Sequence, residues 1–414
     1  MKLFALTLIS IFLLAARPPS ARAQGGFYLP PGKRQVDVPF EYTNNFIIVT
    51  LLFNGKLPLR FIFDTGAEHT ILTKREIAEL LGVQYEREFR IIGSDMKTEL
   101  VAYLARRVRF DLGERGLAAP REDILVLQED YFRFEEYAGV SIHGILAASA
   151  FSKFIIKINY RRKVITLIER EDDGSWSEPG FVPLPVEFYR NKLYLNTQIA
   201  VQRDSATPVK LLIDTGAGLP LLLFTNTHAL LQAPPNARPG NIGMGLGGYL
   251  DGFTGRVDRL GLGKFEQRNI VSQFQQIDTT GNLDFLNKRN GLIGNVILSR
   301  FTVVLDYQNE QIWLKPGKNY QREYDYDRSG LNLLASGRNL SRYTVQHVMP
   351  NSPASEAGLQ AGDDLAQVNG IPCVLMSLPD VLKKLEGKPG KKVRLVVKRD
   401  GKRLKKTVLL RDLF

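Results

Sequence analysis

Cysteine is nearly absent from this chain. Cys373 stands alone among 414 residues, so no internal disulfide can form and burial must hold the fold together. A buried structural thiol is the expectation for it. Histidine is scarce too, and His69, His143, His228 and His347 show no metal-ligand spacing. No metal or cofactor is called for. A Gly-x-Ser-x-Gly elbow is missing, which disfavours a serine hydrolase of that type. Disordered or low-complexity composition is also missing, since 44% of residues are hydrophobic and 24% charged. Aromatics are missing where positive charge concentrates. Val381–Phe414 carries 13 Lys and Arg against 3 Asp and Glu, but Phe414 is its one aromatic residue. Without stacking side chains this stretch reads as strands with a solvated basic face, not a nucleic-acid surface.

The apolar run Leu3–Ala16 is too short to span a bilayer comfortably, and no stop-transfer pattern follows. Lys2 before it and Ala21-Arg22-Ala23 after it give the pattern of a secretory signal, residues 1–23, cleaved near Ala23-Gln24. A disulfide-free exported chain suits a periplasmic or secreted bacterial protein.

What is present is a repeat. Phe46–Phe53 and Leu59–Phe63 lead into Asp64-Thr65-Gly66-Ala67. Leu193–Val201 and Lys210–Ile213 lead into Asp214-Thr215-Gly216-Ala217, 150 positions on. Each copy later carries an apolar pair with a small residue, Ile145-Leu146-Ala147 and Leu292-Ile293-Gly294. Two further runs follow in each, Phe154–Tyr160 and Val164–Leu167 against Phe301–Tyr307 and Gln311–Leu314. The intervening sequence is short β-branched or aromatic runs broken by Gly, Pro, Asn and Asp, which reads as β-rich. Short helices are expected at Lys74–Leu81 and after each small residue. Glu171–Gly180 and the tyrosine-rich Tyr320–Arg328 read as linkers.

An acid directly after an apolar strand is poorly placed unless it has a task. If the copies face each other about a two-fold axis, Asp64 and Asp214 meet. Like charges at about 3 Å cannot both ionise, so they share a proton and can hold a water between them. Thr65 and Thr215 supply hydroxyls for backbone across the site, and Gly66 and Gly216 permit close approach.

These residues resemble the retropepsin-like aspartic peptidases over about residues 36–318. The resemblance implies an all-β fold of two pseudo-symmetric β-barrel lobes in tandem, 36–170 and 181–318. It implies Asp64 and Asp214 as catalytic residues, with Thr65, Gly66, Thr215 and Gly216 supporting them. It also implies glycine-bearing flaps, matched here by Gly93 and Ser94 and by Gly245 and Gly247. With both copies in one chain, a monomer holds a complete site and polypeptides are its substrates. Ala147 departs from the glycine that the family prefers. Gly243, Gly245 and Gly248 also fit Gly-x-Gly-x-x-Gly, but no helix follows, so a dinucleotide site is set aside.

Residues 326–414 resemble a PDZ domain through Ser352-Pro353-Ala354, Ala357-Gly358-Leu359, Gly362-Asp363 and Asn369-Gly370. That resemblance implies capture of a C-terminal peptide ligand by a backbone loop, here Gly330, Leu331 and Asn332, with the peptide adding as a strand. Two functions stay open: an exported aspartic endopeptidase, or a non-catalytic scaffold acting through its PDZ domain.

Overall fold

The computed structural model describes residues 26–93, 98–112, 116–131, 133–171, 176–203, 206–278 and 288–414. The signal expected at 1–23 and the flap residue Ser94 lie outside them.

The fold is mainly β. Each half forms an eight-stranded sheet with the same strand order. In the first half the order is Glu41–Thr43, Phe46–Phe53, Leu57–Asp64, Gly144–Ala147, Ile71–Leu72, Leu117–Leu127, Glu99–Leu112 and Tyr85–Ile92. Leu52 and Phe53 also pair with Asp111 and Phe110, which curls the sheet onto itself. In the second half the order is Glu187–Tyr189, Lys192–Ala200, Thr207–Ile213, Gly291–Ile293, Leu221–Phe224, Phe265–Gln275, Gly248–Leu262 and Arg238–Gly245. Ile199 and Ala200 pair with Leu260 and Arg259 to the same effect.

Alternation along the strands explains how the acids are delivered. In Leu57–Asp64, Leu59, Phe61 and Phe63 face one core cluster, while Ile62 faces a second with Phe46 and Ile48. Phe61, Ile62 and Phe63 bury both faces of the strand's final stretch, and Asp64 follows them as its last residue.

The halves are joined by a six-stranded sheet with strand order Gln35–Pro39, Val164–Ile168, Ile155–Asn159, Phe301–Asp306, Gln311–Pro316 and Val182–Pro185. At its centre Lys157 pairs with Val304, its own counterpart in the repeat. Ile156 pairs with Leu305 and Ile158 with Val303, which exchange counterparts. A two-fold axis therefore passes through this pair.

The C-terminal sheet has the order Leu331–Ser336, Arg342–Val348, Asp364–Val368, Lys392–Arg399 and Lys402–Leu409. Its Asn369-Gly370 and Asp400-Gly401 turns both have positive φ at each residue, as two-residue hairpin turns require. The helix Leu378–Leu385 begins with a Ser377/Asp380 capping box. Cys373 is buried in this core, and burial pushes its thiol up to about 11. The basic residues of Lys392–Arg399 alternate with buried Val393, Leu395 and Val397, so they do form a solvated face.

Tyr320–Arg328 is not an open linker. The Tyr324 hydroxyl donates to Gln267 Oε1 at 2.8 Å, and Arg300 lies 3.7 Å over its ring. Tyr326 stacks with Phe414 at 4.8 Å. The tyrosines that mark the segment as polar bury their rings and keep their hydroxyls bonded.

Candidate active site

Both Asp-Thr-Gly-Ala turns lie at the floor of one cleft and grip each other. Thr65 Oγ1 donates to the Ile213 carbonyl at 2.7 Å and accepts from Thr215 N at 2.9 Å. Thr215 Oγ1 donates to the Phe63 carbonyl at 2.8 Å and accepts from Thr65 N at 3.1 Å. All four bonds are buried, so neither turn can shift alone. A Cβ on Gly66 would stand 2.7 Å from Asp214 Cγ, and one on Gly216 would collide with Asp64 Cγ. Each carboxyl thus lies over the other turn's glycine. Only glycine leaves room for that.

The carboxyls are near enough for each to perturb the other's ionisation. Gly66 N and Ala67 N donate to Asp64 Oδ1 at 2.6 and 3.1 Å, and Gly216 N donates to Asp214 Oδ1 at 2.9 Å. Burial pushes Asp64 well above the ordinary carboxylate range, and the like charge of Asp214 adds to it. Burial raises Asp214 as well, but the nearby Arg289 guanidinium opposes it. Burial disfavours charge on both acids, and the Arg289 charge favours Asp214 as the ionised member, which leaves the shared proton on Asp64.

Outer contacts repeat with the same symmetry. Asn45 Nδ2 donates to the Gly218 carbonyl at 3.1 Å, and Asn191 Nδ2 donates to the Glu68 carbonyl at 3.2 Å. Each hairpin turn thereby holds the residue just beyond the opposite Asp-Thr-Gly-Ala. The Arg60 amide donates to His143 Nδ1 at 3.1 Å, as the Lys210 amide does to Asn290 Oδ1 at 2.9 Å. Ala147 is accommodated because its amide takes Thr70 Oγ1 as acceptor at 3.2 Å. At Gly294 a Cβ would strike the Leu219 carbonyl.

Asn295 escaped sequence reasoning. Its Nδ2 donates to the carbonyls of Asn45 and Thr215 at 2.8 Å each, and its Oδ1 accepts from the Tyr160 hydroxyl at 2.6 Å. It ties three segments across the lobes from a fully buried position. Its repeat counterpart is Ala148, so a polar residue replacing a small apolar one was the available signal. Arg289, whose counterpart is Ile142, carried the same signal.

Of the flap candidates, Gly93 closes its hairpin by donating to the Thr98 carbonyl at 2.8 Å. Gly245 and Gly247 flank Leu246, which crosses the cleft to pack on the cluster of Phe46 and Phe134 in the other lobe. The histidines are dispersed. His69 lies in the cleft, its Nε2 3.8 Å from Glu68. His143 supports Arg60, and His228 Nδ1 accepts from the Leu230 amide.

The loop Gly330-Leu331-Asn332 is already engaged. Gly330 N and Leu331 N donate to Asp327 Oδ2 at 2.6 and 3.2 Å, while Ser329 N and Oγ donate to Asp327 Oδ1. A carboxylate of this same chain fills the place expected for a peptide terminus. Asn332 Nδ2 donates to Asn241 Oδ1 in the second lobe's hairpin at 3.1 Å. The edge strand Leu331–Ser336 lies against the first lobe's helix Phe134–Ala138, and Gly139 fits against Leu378 with no room for a Cβ. The gap between that strand and the helix Leu378–Leu385 is thus closed by the peptidase-like half.

Residues 49–150 match the family model described as an aspartyl protease, and residues 344–399 match that of a PDZ domain. Two curated proteins from strains of Staphylococcus epidermidis, each named "Probable CtpA-like serine protease", are 29% identical over 154 residues. The match covers 37% of this chain and 31% of each relative, so it spans about a third of their length. Fold and matches together define a chain of two β-barrel lobes in tandem, with a protease domain and a C-terminal PDZ domain. The serine type belongs to the relatives' names, and so short a match does not carry it here.

Proposed function

We propose that the chain is an exported aspartic endopeptidase, acting as a monomer on polypeptides through Asp64 and Asp214. One observation carries this reading: two carboxyls in one cleft, each lying over the other turn's glycine and held there by reciprocal threonine bonds. A pair so arranged needs one shared proton, and the charge of Arg289 leaves it on Asp64. Asp214 takes a proton from a water as its oxygen attacks the peptide carbonyl carbon. Asp64 gives its proton to the carbonyl oxygen as that oxygen becomes tetrahedral. The proton then on Asp214 passes to the leaving nitrogen as the C–N bond breaks, and one hydroxyl of the tetrahedral carbon returns its proton to Asp64 as the carbonyl re-forms. No covalent intermediate forms. The Leu246 hairpin acts as the flap that keeps bulk water from the reacting bond.

Export to the periplasm or medium is part of the proposal and rests on the pattern from Lys2 to Ala23. The PDZ domain positions the flap-bearing hairpin through Asn332 and Asn241. Recruitment of a peptide by its groove requires Asp327 and the Phe134–Ala138 helix to yield. A casein digest with and without pepstatin tests the reading. Pepstatin-sensitive fragments are expected; intact casein at acidic and neutral pH favours the scaffold alternative.

A further inference from the structure

The two-fold axis makes departures from symmetry informative. The hairpin turns Asn44-Asn45 and Arg190-Asn191 correspond, with matching positive φ. The residues that follow them are Phe46 in one half and Lys192 in the other. Gly218 and Glu68 correspond, as do Ile142 and Arg289. Phe46 lies against Gly218 and clusters with Ile142. Arg190 Nε lies 3.0 Å from Glu68 Oε1, and Lys192 Nζ lies 3.8 Å from Glu68 Oε2. Arg289 lies over Phe224, which packs with Tyr194 two residues beyond Lys192. It lines the same cleft as Arg190, Lys192 and Asp214, and its charge perturbs the ionisation of Lys192 and Asp214. One side of the dyad is therefore apolar, and its mirror position holds three cations against one carboxylate.

We propose that this cationic side, built on Arg289 with Lys192 and Arg190, is a subsite for an aspartate or glutamate side chain next to the scissile bond, while its mirror side takes an apolar residue. The inference deepens the peptidase reading and rests on it.

Arg289 is the anchor. Its guanidinium lies 5.5 Å over the Phe224 ring, and its Nε is buried with no hydrogen-bond partner among the described residues. Burying a cation without a bonded anion is costly, and a carboxylate that enters removes that cost. Arg190 and Lys192 share Glu68, which leaves charge in excess even before Arg289 is counted. Burial lowers the basicity of both Lys192 and Arg289, and for Lys192 the neighbouring Arg289 and Arg190 charges add to it. Arg289 and Asp214 line the same cleft, and the charge of one acts on the other without an ion pair, so a substrate acid held at Arg289 sits near the reacting carbonyl. The mirror side presents Phe46, backed by Phe134 and Ile142, which suits an apolar side chain.

The test uses five fluorogenic peptides identical except at the central bond: Phe-Glu, Glu-Phe, Phe-Gln, Gln-Phe and Phe-Phe. One of the two acidic orders is expected to exceed its Gln partner about tenfold in kcat/KM, a hydrogen-bonded charge pair being worth roughly 1.5–3 kcal/mol. The ratio should grow as pH rises past about 4.3, where a glutamate ionises. In Arg289→Met the Glu/Gln ratio is expected to fall toward one, and Arg289→Lys to restore part of it. Lys192→Met should reduce the ratio less, and it serves if Arg289 variants fold poorly. Cleavage with no preference for either acidic order, or a ratio untouched by Arg289→Met and Lys192→Met, overturns the subsite alone. Failure to cut any of the five peptides sinks the subsite and the peptidase reading together.

Discussion

Replacing Thr215 by valine changes one hydroxyl to a methyl at a position with no exposure. The shape stays, but two of the four interlobe bonds go: Thr215 Oγ1 to the Phe63 carbonyl, and Thr65 N to Thr215 Oγ1. Neither Thr65 N nor the Phe63 carbonyl can reach water there. Leaving a buried polar group without its partner costs about 1–3 kcal/mol, so the pair should cost about 2–5 kcal/mol. The loss falls on the joint that sets the carboxyl separation, so turnover should drop with stability. Urea unfolding supplies the free energy, and hydrolysis of a fluorogenic peptide supplies kcat/KM. Adding Thr65→Val removes the remaining two bonds of the same joint. The double variant should therefore lose less than the sum of the singles. A Thr215→Val protein within 0.5 kcal/mol of the parent, at full kcat/KM, would refute the idea that this joint aligns the site.

Three other outcomes follow from named contacts. The folded dyad binds protons more tightly than the unfolded chain, because both carboxyls are raised. Its contribution to stability is therefore complete below the ordinary carboxylate range and is lost as pH rises through the raised values. Asp64→Asn should then stabilise the fold near neutral pH and gain little in acid, as thermal melts across pH will show. Asp327→Ala frees Gly330 N and Leu331 N, should cost about 1–3 kcal/mol, and should let a peptide with a free C-terminus bind better than its amide. Equal polarisation titrations of parent and variant would mean Asp327 does not block the loop. Gly139→Ala places a Cβ 2.6 Å from Leu378 Cβ at φ +69°. It should loosen the PDZ contact and speed proteolysis within 319–328, at a stability cost of about 1–3 kcal/mol.

The repeat was legible because apolar strands ending in Asp-Thr-Gly-Ala leave few alternatives. Hydrophobic runs on either side commit each acid to a strand end, and two copies imply an axis. The helix at Arg75–Leu80 was legible within the span 74–81, as were the short turns of helix after Ala147 and Gly294. The helix Phe134–Ala138 was not, since five residues carry no period and its supports are distant in sequence: the cluster that buries Phe134 and Ala138, and the Asn44 side chain, which donates to the Ala138 carbonyl. Arg289 and Asn295 were hidden because their meaning lies in differing from Ile142 and Ala148, which sit in the other lobe. Asp327 was hidden by composition: a carboxylate among tyrosines and arginines reads as solvated until its four donors are seen.

The shared-proton pair is tested most directly by purifying Asp64→Asn and Asp214→Asn and following peptide hydrolysis beside the parent chain. Each single substitution should abolish turnover while the cooperative unfolding transition persists. Full activity in either one would mean that the two acids do not act as a unit, and the account would fail at its centre.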